Sequence, residues 1–188
     1  MSDTVALIAK GPSAENAREW INAFEHIATI NDSGRYVEGP IQWAFFTDTI
    51  RPIETQRHRV ERFVSPDVRL NLPEWYRPEI HIRYADTRCG GSEDEFRERV
   101  YSGGICRHHT TTGAMHWLAK VAQYKRIRII GVDGGHSYAA DSHVNLETHN
   151  RLKTELGENF LDDWKVVTHR LAKVLAEVYG TEFEWFNE

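Results

Sequence analysis

Short apolar runs alternate with polar or glycine-rich turns along most of the chain. The first run, Val5-Ala6-Leu7-Ile8-Ala9, ends at Lys10-Gly11-Pro12-Ser13. A continuous apolar run of that length is what a strand buried on both faces of a parallel sheet requires. Ala14, Ala17, Trp20, Ile21 and Phe24 then recur at helical spacing, with Ser13 placed as an N-cap. Further strands are predicted at 26–30, closed by Asn31-Asp32-Ser33-Gly34, and at 43–46, closed by Thr47-Asp48. In the middle, 68–72 and 80–84 alternate like strands, and Pro66, Pro73 and Pro78 cut the region into short pieces. Ser92 is placed to cap a short helix to Tyr101, and Ser102-Gly103-Gly104 then forces a loop. A helical pattern over 112–124 precedes another buried strand at 127–130, which ends in Gly131-Val132-Asp133-Gly134-Gly135. A polar stretch over 136–150 leads to a long helix at about 159–179 with Gly180 as its C′ residue, and 182–186 reads as an edge strand. Strand, loop, helix, strand is the grammar of an α/β fold. The expectation is one nucleotide-binding α/β domain over 1–188, Rossmann-like, with a mostly parallel sheet flanked by helices.

Composition narrows the class. The 188 residues are 40% hydrophobic and 27% charged, ordinary for a folded protein, so disorder and coiled coil are excluded as the main character. No apolar run approaches the roughly 18 residues of a membrane span, and Met1-Ser2-Asp3-Thr4 carries no basic region of a signal peptide. The net charge of −5 argues against a nucleic-acid-coating protein. Arg51, Arg57, Arg59 and Arg62 alternate with Glu54 and Glu61, which reads as a solvated helix face or as a lip that attracts anions. The two cysteines, Cys89 and Cys106, are too few for a disulfide scaffold, and a reduced, cytoplasmic protein is expected.

Polar or glycine-rich segments directly follow several apolar strands. In an open α/β sheet, ligands bind outside the carboxyl ends of the strands, so these segments would share one rim. Gly11-Pro12-Ser13 is neither the dinucleotide fingerprint nor a P-loop. It does offer a bare backbone, a rigid turn, a hydroxyl and a helix start, a set suited to a phosphate or to simple capping. Thr110-Thr111-Thr112-Gly113 opens a helix with three hydroxyls, again for an anion, a ribose or a cap. Asp133 suits a ligand hydroxyl, a metal or an Asx-turn. His108, His109, His116, His136, His143 and His149 crowd one third of the chain without zinc spacing, and any of them could titrate as an acid or base near neutral pH. Cys106 sits in no nucleophile signature.

The strand ending in Gly11-Pro12-Ser13, Asn31 closing the second strand, the Thr110-Thr111-Thr112-Gly113 helix start, Gly131-Val132-Asp133 and Ser137-Tyr138-Ala139-Ala140-Asp141 together resemble the bacterial sialyltransferases of glycosyltransferase family 42. A related start and a related helix–strand segment occur in archaeal 6-hydroxymethylpterin diphosphokinase-like proteins. The resemblance covers 4–48 and 102–142 and is weak over 49–101. It implies a Rossmann-like domain that uses a CMP-sugar donor and a glycan or small-molecule acceptor, with no metal needed for catalysis. By matching positions, Gly11, Pro12 and Ser13 would hold the nucleotide phosphate and ribose. Asn31 would contact the pyrophosphate-like or sugar end, and Thr112 and Gly113 the nucleotide or the sugar carboxylate. Asp133 joins the same nucleotide-binding set, and Tyr138 would stabilise the departing phosphate.

Departures from that pattern are specific. Lys10 stands where the family has a small or amide residue, and the family's second strand-end Asn falls at Thr47 or Asp48. A second phosphate-binding tyrosine is missing near Gly135 or His136. Residues 159–163, where the family's catalytic histidine should lie, contain none, so the base is expected in the polar loop at His136 or His143. Gly134 and Gly135 would let that loop fold over substrate, and His149, Asp162 and Asp163 are the reserve. The alternatives are a diphosphokinase-type phosphotransferase, with Mg²⁺ on Asp48 and Asp133, and a nucleotide-binding module without catalysis. Self-association is left open, and neither a nucleic-acid partner nor a membrane span is expected.

Overall fold

The computed structural model describes residues 3–21, 25–47, 50–67, 72–135, 137–139 and 146–186, without the side chains of 51 and 146–148. Seven strands form one sheet: β1 (Thr4–Ile8), β2 (His26–Ile30), β3 (Ile41–Phe45), β4 (Val60–Pro66), β5 (His81–Tyr84), β8 (Arg126–Ile130) and β9 (Glu182–Phe186). Their order is β5-β4-β3-β2-β1-β8-β9, and every neighbouring pair runs parallel. A separate two-stranded parallel ladder joins β6 (Asp86–Arg88) to β7 (Ile105–Arg107). The helices are α1 (Ala17–Trp20), α2 (Glu93–Tyr101), α3 (Thr110–Lys120), α4 (Leu146–Leu156) and α5 (Phe160–Tyr179). This is the Rossmann-like α/β architecture expected from the run pattern.

Side chains of β1 alternate between two cores, as the pleat dictates. Val5 and Leu7 join Met115, Leu118, Leu171 and Leu175 of α3 and α5 on one face. Ala6 and Ile8 join Ala14, Ala17, Ile50 and Ile53 on the other. Both faces of the central strands are therefore dry, which is why their sequences read as unbroken apolar runs. The long helix ends as expected, with Gly180 left-handed at φ 67°. Ser92 caps α2 by accepting the Glu95 amide at 3.2 Å.

Four local expectations are corrected. The 3₁₀ helix Pro12–Asn16 starts after Gly11 with no side-chain cap, so Ser13 is not an N-cap. The arginine-rich segment is helical as expected only to Arg59, as a 3₁₀ helix, and then runs directly into β4, a strand missed because Glu61 and Arg62 interrupt its apolar pattern. The polar stretch after Gly135 gives way to α4 from Leu146 onward. Cys89 and Cys106 are joined in a disulfide with Cα atoms 6.1 Å apart, against the reduced state expected from their number. The β6–β7 pairing sets Thr87 opposite Cys106, which brings Cys89 within reach of it. Most of the strand expected at 68–72 and Phe24 lie outside the described residues, as do Asp48, His136, His143, Ala140 and Asp141.

Candidate functional site

From β1 the chain passes to β2 on one side, while β8, far along the sequence, pairs on the other. Such a reversal of strand order opens a crevice at the carboxyl ends. A cavity of about 280 Å³ lies there. Its floor is Ala9, Lys10 and Gly11 after β1, Ile30 and Asn31 after β2, and Gly131 to Gly134 after β8. Thr110 and Thr111 at the start of α3 form one wall, with His109 beside them. Ser137, Tyr138, Arg151 and the first turns of α5 (Leu161, Trp164, Lys165, Thr168) close the other.

The structure thus brings Gly11, Asn31, Asp133 and Tyr138 to one rim, as expected. Asn31 holds a left-handed backbone, φ 52°, a conformation asparagine tolerates better than most residues. That turn lets the Asn31 amide donate to the Phe45 carbonyl at 2.8 Å while the residue faces the cavity.

The glycine–proline–serine turn is a clasp between strand ends. The Gly11 amide donates to the Gly131 carbonyl at 2.7 Å. Ser13 is fully buried: its amide donates to Asp133 Oδ2 at 2.7 Å, its hydroxyl donates to Asp133 Oδ1 at 2.5 Å, and the hydroxyl accepts the Gly131 amide at 2.9 Å. Gly11 is glycine because a Cβ there would stand 2.4 Å from Asp133 Oδ2 and 2.7 Å from the Gly131 carbonyl oxygen. Pro12 has no amide hydrogen to offer. The donors assigned to a phosphate are already spent within the protein, and both oxygens of Asp133 are occupied by Ser13, which leaves that carboxylate poorly placed as a metal ligand. Among the described residues, no cluster of three or more His, Cys, Asp or Glu could hold a metal ion.

Thr112 is similarly engaged. Its buried hydroxyl accepts the amides of His108 and His109, each at 2.9 Å, and donates to the His109 carbonyl at 2.7 Å. Gly113 packs against Arg107 and the Tyr84 hydroxyl. At the cavity itself, Thr110 and Thr111 replace them. Thr110 Oγ1 lies 2.9 Å from Thr47 Oγ1, and the first amides of a helix have no partner within it. The positive end of the α3 dipole therefore faces the cavity.

His109 is the site residue that sequence reasoning did not single out. Its ring stacks on Trp164, centroids 5.1 Å apart, and its Nε2 is 3.2 Å from Thr168 Oγ1. The Thr168 hydroxyl gives its proton to the Trp164 carbonyl at 2.6 Å, so Nε2–H of His109 donates, and the ring accepts the Thr112 amide in the capping box that starts α3. Desolvation, with His108 alongside, holds His109 well below the usual histidine range, so it is neutral. Only its position next to the threonine-rich helix start could have hinted at it. Burial pushes Tyr138 the other way, up to about 12, so it keeps its proton. His149 is buried edge-on to Tyr138 and against Phe160, and among the described residues its ring nitrogens find no hydrogen-bond partner. Asp162 accepts the Gly135 amide at 2.7 Å, which fixes the left-handed glycine pair after β8.

Among the described lining residues, Lys10, Lys165 and Arg151 stand against one carboxylate, Asp133. The described lining of the crevice is thus net positive in a chain of net charge −5. That electrostatic focus suits an anionic ligand.

No family model and no curated protein sequence matches the chain. Solved structures do. The sialyltransferase CST-II, in complex with a trisaccharide acceptor and CMP, superposes with a TM-score of 0.55 at 13% identity, over 97% of this chain and 80% of that one. The sialyltransferase CstII from Campylobacter jejuni, in complex with a substrate analogue, cytidine-5'-monophosphate, gives 0.55 at 12% identity, over 97% and 79%. The likeness is one of fold: the chain has a sialyltransferase-like Rossmann architecture. No relation to the diphosphokinases is found.

Proposed function

We propose that this chain is a glycosyltransferase that takes a sugar from a nucleotide donor, a CMP-sugar, and passes it to an acceptor hydroxyl. The observation that carries the reading is the cation-lined cavity at the strand-order reversal, facing the start of α3. Support comes from the fold shared with two sialyltransferase structures solved with CMP. Gly11 and Asn31 form the floor under the nucleotide, and Thr110 and Thr111 offer hydroxyls and helix amides to its polar groups. The neutral Tyr138 phenol donates a hydrogen bond toward the leaving phosphate. The acceptor's proton passes to a histidine. His136 and His143 remain the sequence's choices for it, while His109, held neutral by burial and bonded into the start of α3, shapes the cavity wall.

Thermal-shift measurements with CMP, UDP and ATP, each with and without Mg²⁺, test the reading. CMP should raise the melting temperature without metal. Equal shifts for all three nucleotides, or a shift with ATP and Mg²⁺ alone, would overturn it.

A further inference from the structure

Lys10 is the residue that follows the β1 run and stands on the cavity floor. Its carbonyl accepts the Ala139 amide at 2.7 Å, pinning the segment 137–139 to the end of β1. Its ammonium lies 5.0 Å from the centre of the Tyr138 ring. Backbone and side chain of one residue therefore hold Tyr138 from two directions. Two further cations line the cavity. Lys165 donates to the Asp133 carbonyl at 2.8 Å, and the exposed Arg151 reaches Glu155 on its own helix at 3.8 Å. Meanwhile Gly11, Pro12 and Ser13 have no donor left for a phosphate, and a neutral phenol brings a hydrogen bond but no charge.

We infer that Lys10 and Tyr138 together form the phosphate-binding unit of the cavity, Lys10 bringing the positive charge and Tyr138 the hydrogen bond. The inference rests on the glycosyltransferase reading above and adds to it a catalytic residue. In the transfer step the acceptor oxygen forms a bond to the anomeric carbon, and the bond from that carbon to the phosphate oxygen breaks. The electron pair stays on the phosphate, the acceptor's proton goes to the histidine base, and nothing is oxidised or reduced. Negative charge grows on the phosphate as the bond opens, and an ammonium already held beside Tyr138 stabilises it without reorganisation. An ammonium binds phosphate as a point charge, so arginine, of equal charge, should retain most of the effect and methionine, of similar size, should not.

The test is calorimetric titration of the parent, Lys10→Met, Lys10→Arg and Tyr138→Phe with CMP and with cytidine, which lacks the phosphate. Lys10→Met should weaken CMP by about 10- to 100-fold, the scale of one charge-assisted contact, and leave cytidine within about twofold. Tyr138→Phe should weaken CMP less. A Lys10→Met protein that binds CMP like the parent, or loses CMP and cytidine equally, overturns the inference while leaving the glycosyltransferase reading standing. If the parent binds no CMP, that reading falls, and inorganic phosphate titrated into the parent and Lys10→Met decides the anion site by itself. Phosphate binding that depends on Lys10 upholds it, and binding that does not, or none, refutes it.

Discussion

Ser13 shows how a residue type can suit a ligand and still be used by the fold. A serine after a glycine and a proline, at the end of a buried strand, has the chemistry of a phosphate site. Here its amide and hydroxyl are both claimed by Asp133, which lies 120 residues away in sequence. Ser13→Ala should therefore act on stability first. Removing a buried hydroxyl bonded to a carboxylate should cost about 2 kcal/mol, read as a lower urea midpoint at unchanged slope. An unchanged midpoint would refute the clasp between β1 and β8. Asn31 and Tyr138 are the converse, residues whose expected place at the rim is the place they occupy. Neither is legible from residue type alone. Both entered as positions matched to the family resemblance.

At the scale of elements, the legible parts are those whose own sequence sets their burial. β1, β2 and α5 sit within a residue or two of their expected bounds, since an apolar run or a long amphipathic stripe admits one packing arrangement. β4, β6, β7 and α4 were not legible. β4 has polar residues at its entry, and β6 and β7 are three residues each, too short to show any period. That small ladder carries the disulfide, and it leads straight into His108, His109 and α3. The Cys89 carbonyl lies 2.9 Å from His108 Nδ1, and the Cys106 amide donates to His116 Nδ1 at 2.8 Å. The bond spans 17 residues, so chain-entropy arguments give it about 3 kcal/mol. Dithiothreitol should lower the melting temperature, and a Cys89→Ser/Cys106→Ser protein should melt lower whether or not reductant is present. Identical melting of the oxidised and reduced parent would show that the cross-link contributes nothing.

For the whole molecule, buried imidazoles set the response to acid. Desolvation lowers His81 to about 4 and His116 to about 4, and lowers His109 as well. In the unfolded chain these groups titrate near the ordinary value of about 6.5. Below that pH the unfolded state binds protons that the folded state refuses, so stability falls as pH drops from about 6.5 toward about 4 and is flat with respect to these groups above it. His116 is fully buried, and its Nδ1 accepts an amide, so it has no room for a second proton. One proton taken up by the unfolded state alone gives a slope of about 1.4 kcal/mol per pH unit. Urea denaturation of the parent and of His116→Asn at pH 7.0 to 4.5 should show the variant's slope to be shallower by about that amount. Parallel pH profiles would refute the neutral, buried His116.

The chain by itself determined its class. Uninterrupted apolar runs separated by helical stripes can be buried only as a parallel sheet covered on both faces, and glycine-rich polar turns at strand ends place the rim. That much is local, because period and run length depend on neighbours in sequence. The site's membership depended on distant partners. Asp133 took the donors of Ser13, and His109 was set against Trp164 and Thr168 of α5. Lys10 met Tyr138 because β1 and the chain after β8 end side by side. Hydrogen bonds and charge contacts between residues 59 to 128 positions apart leave no period in the sequence, so only the packing of β8 beside β1 and of α5 over the rim decides which polar groups stay available to a ligand.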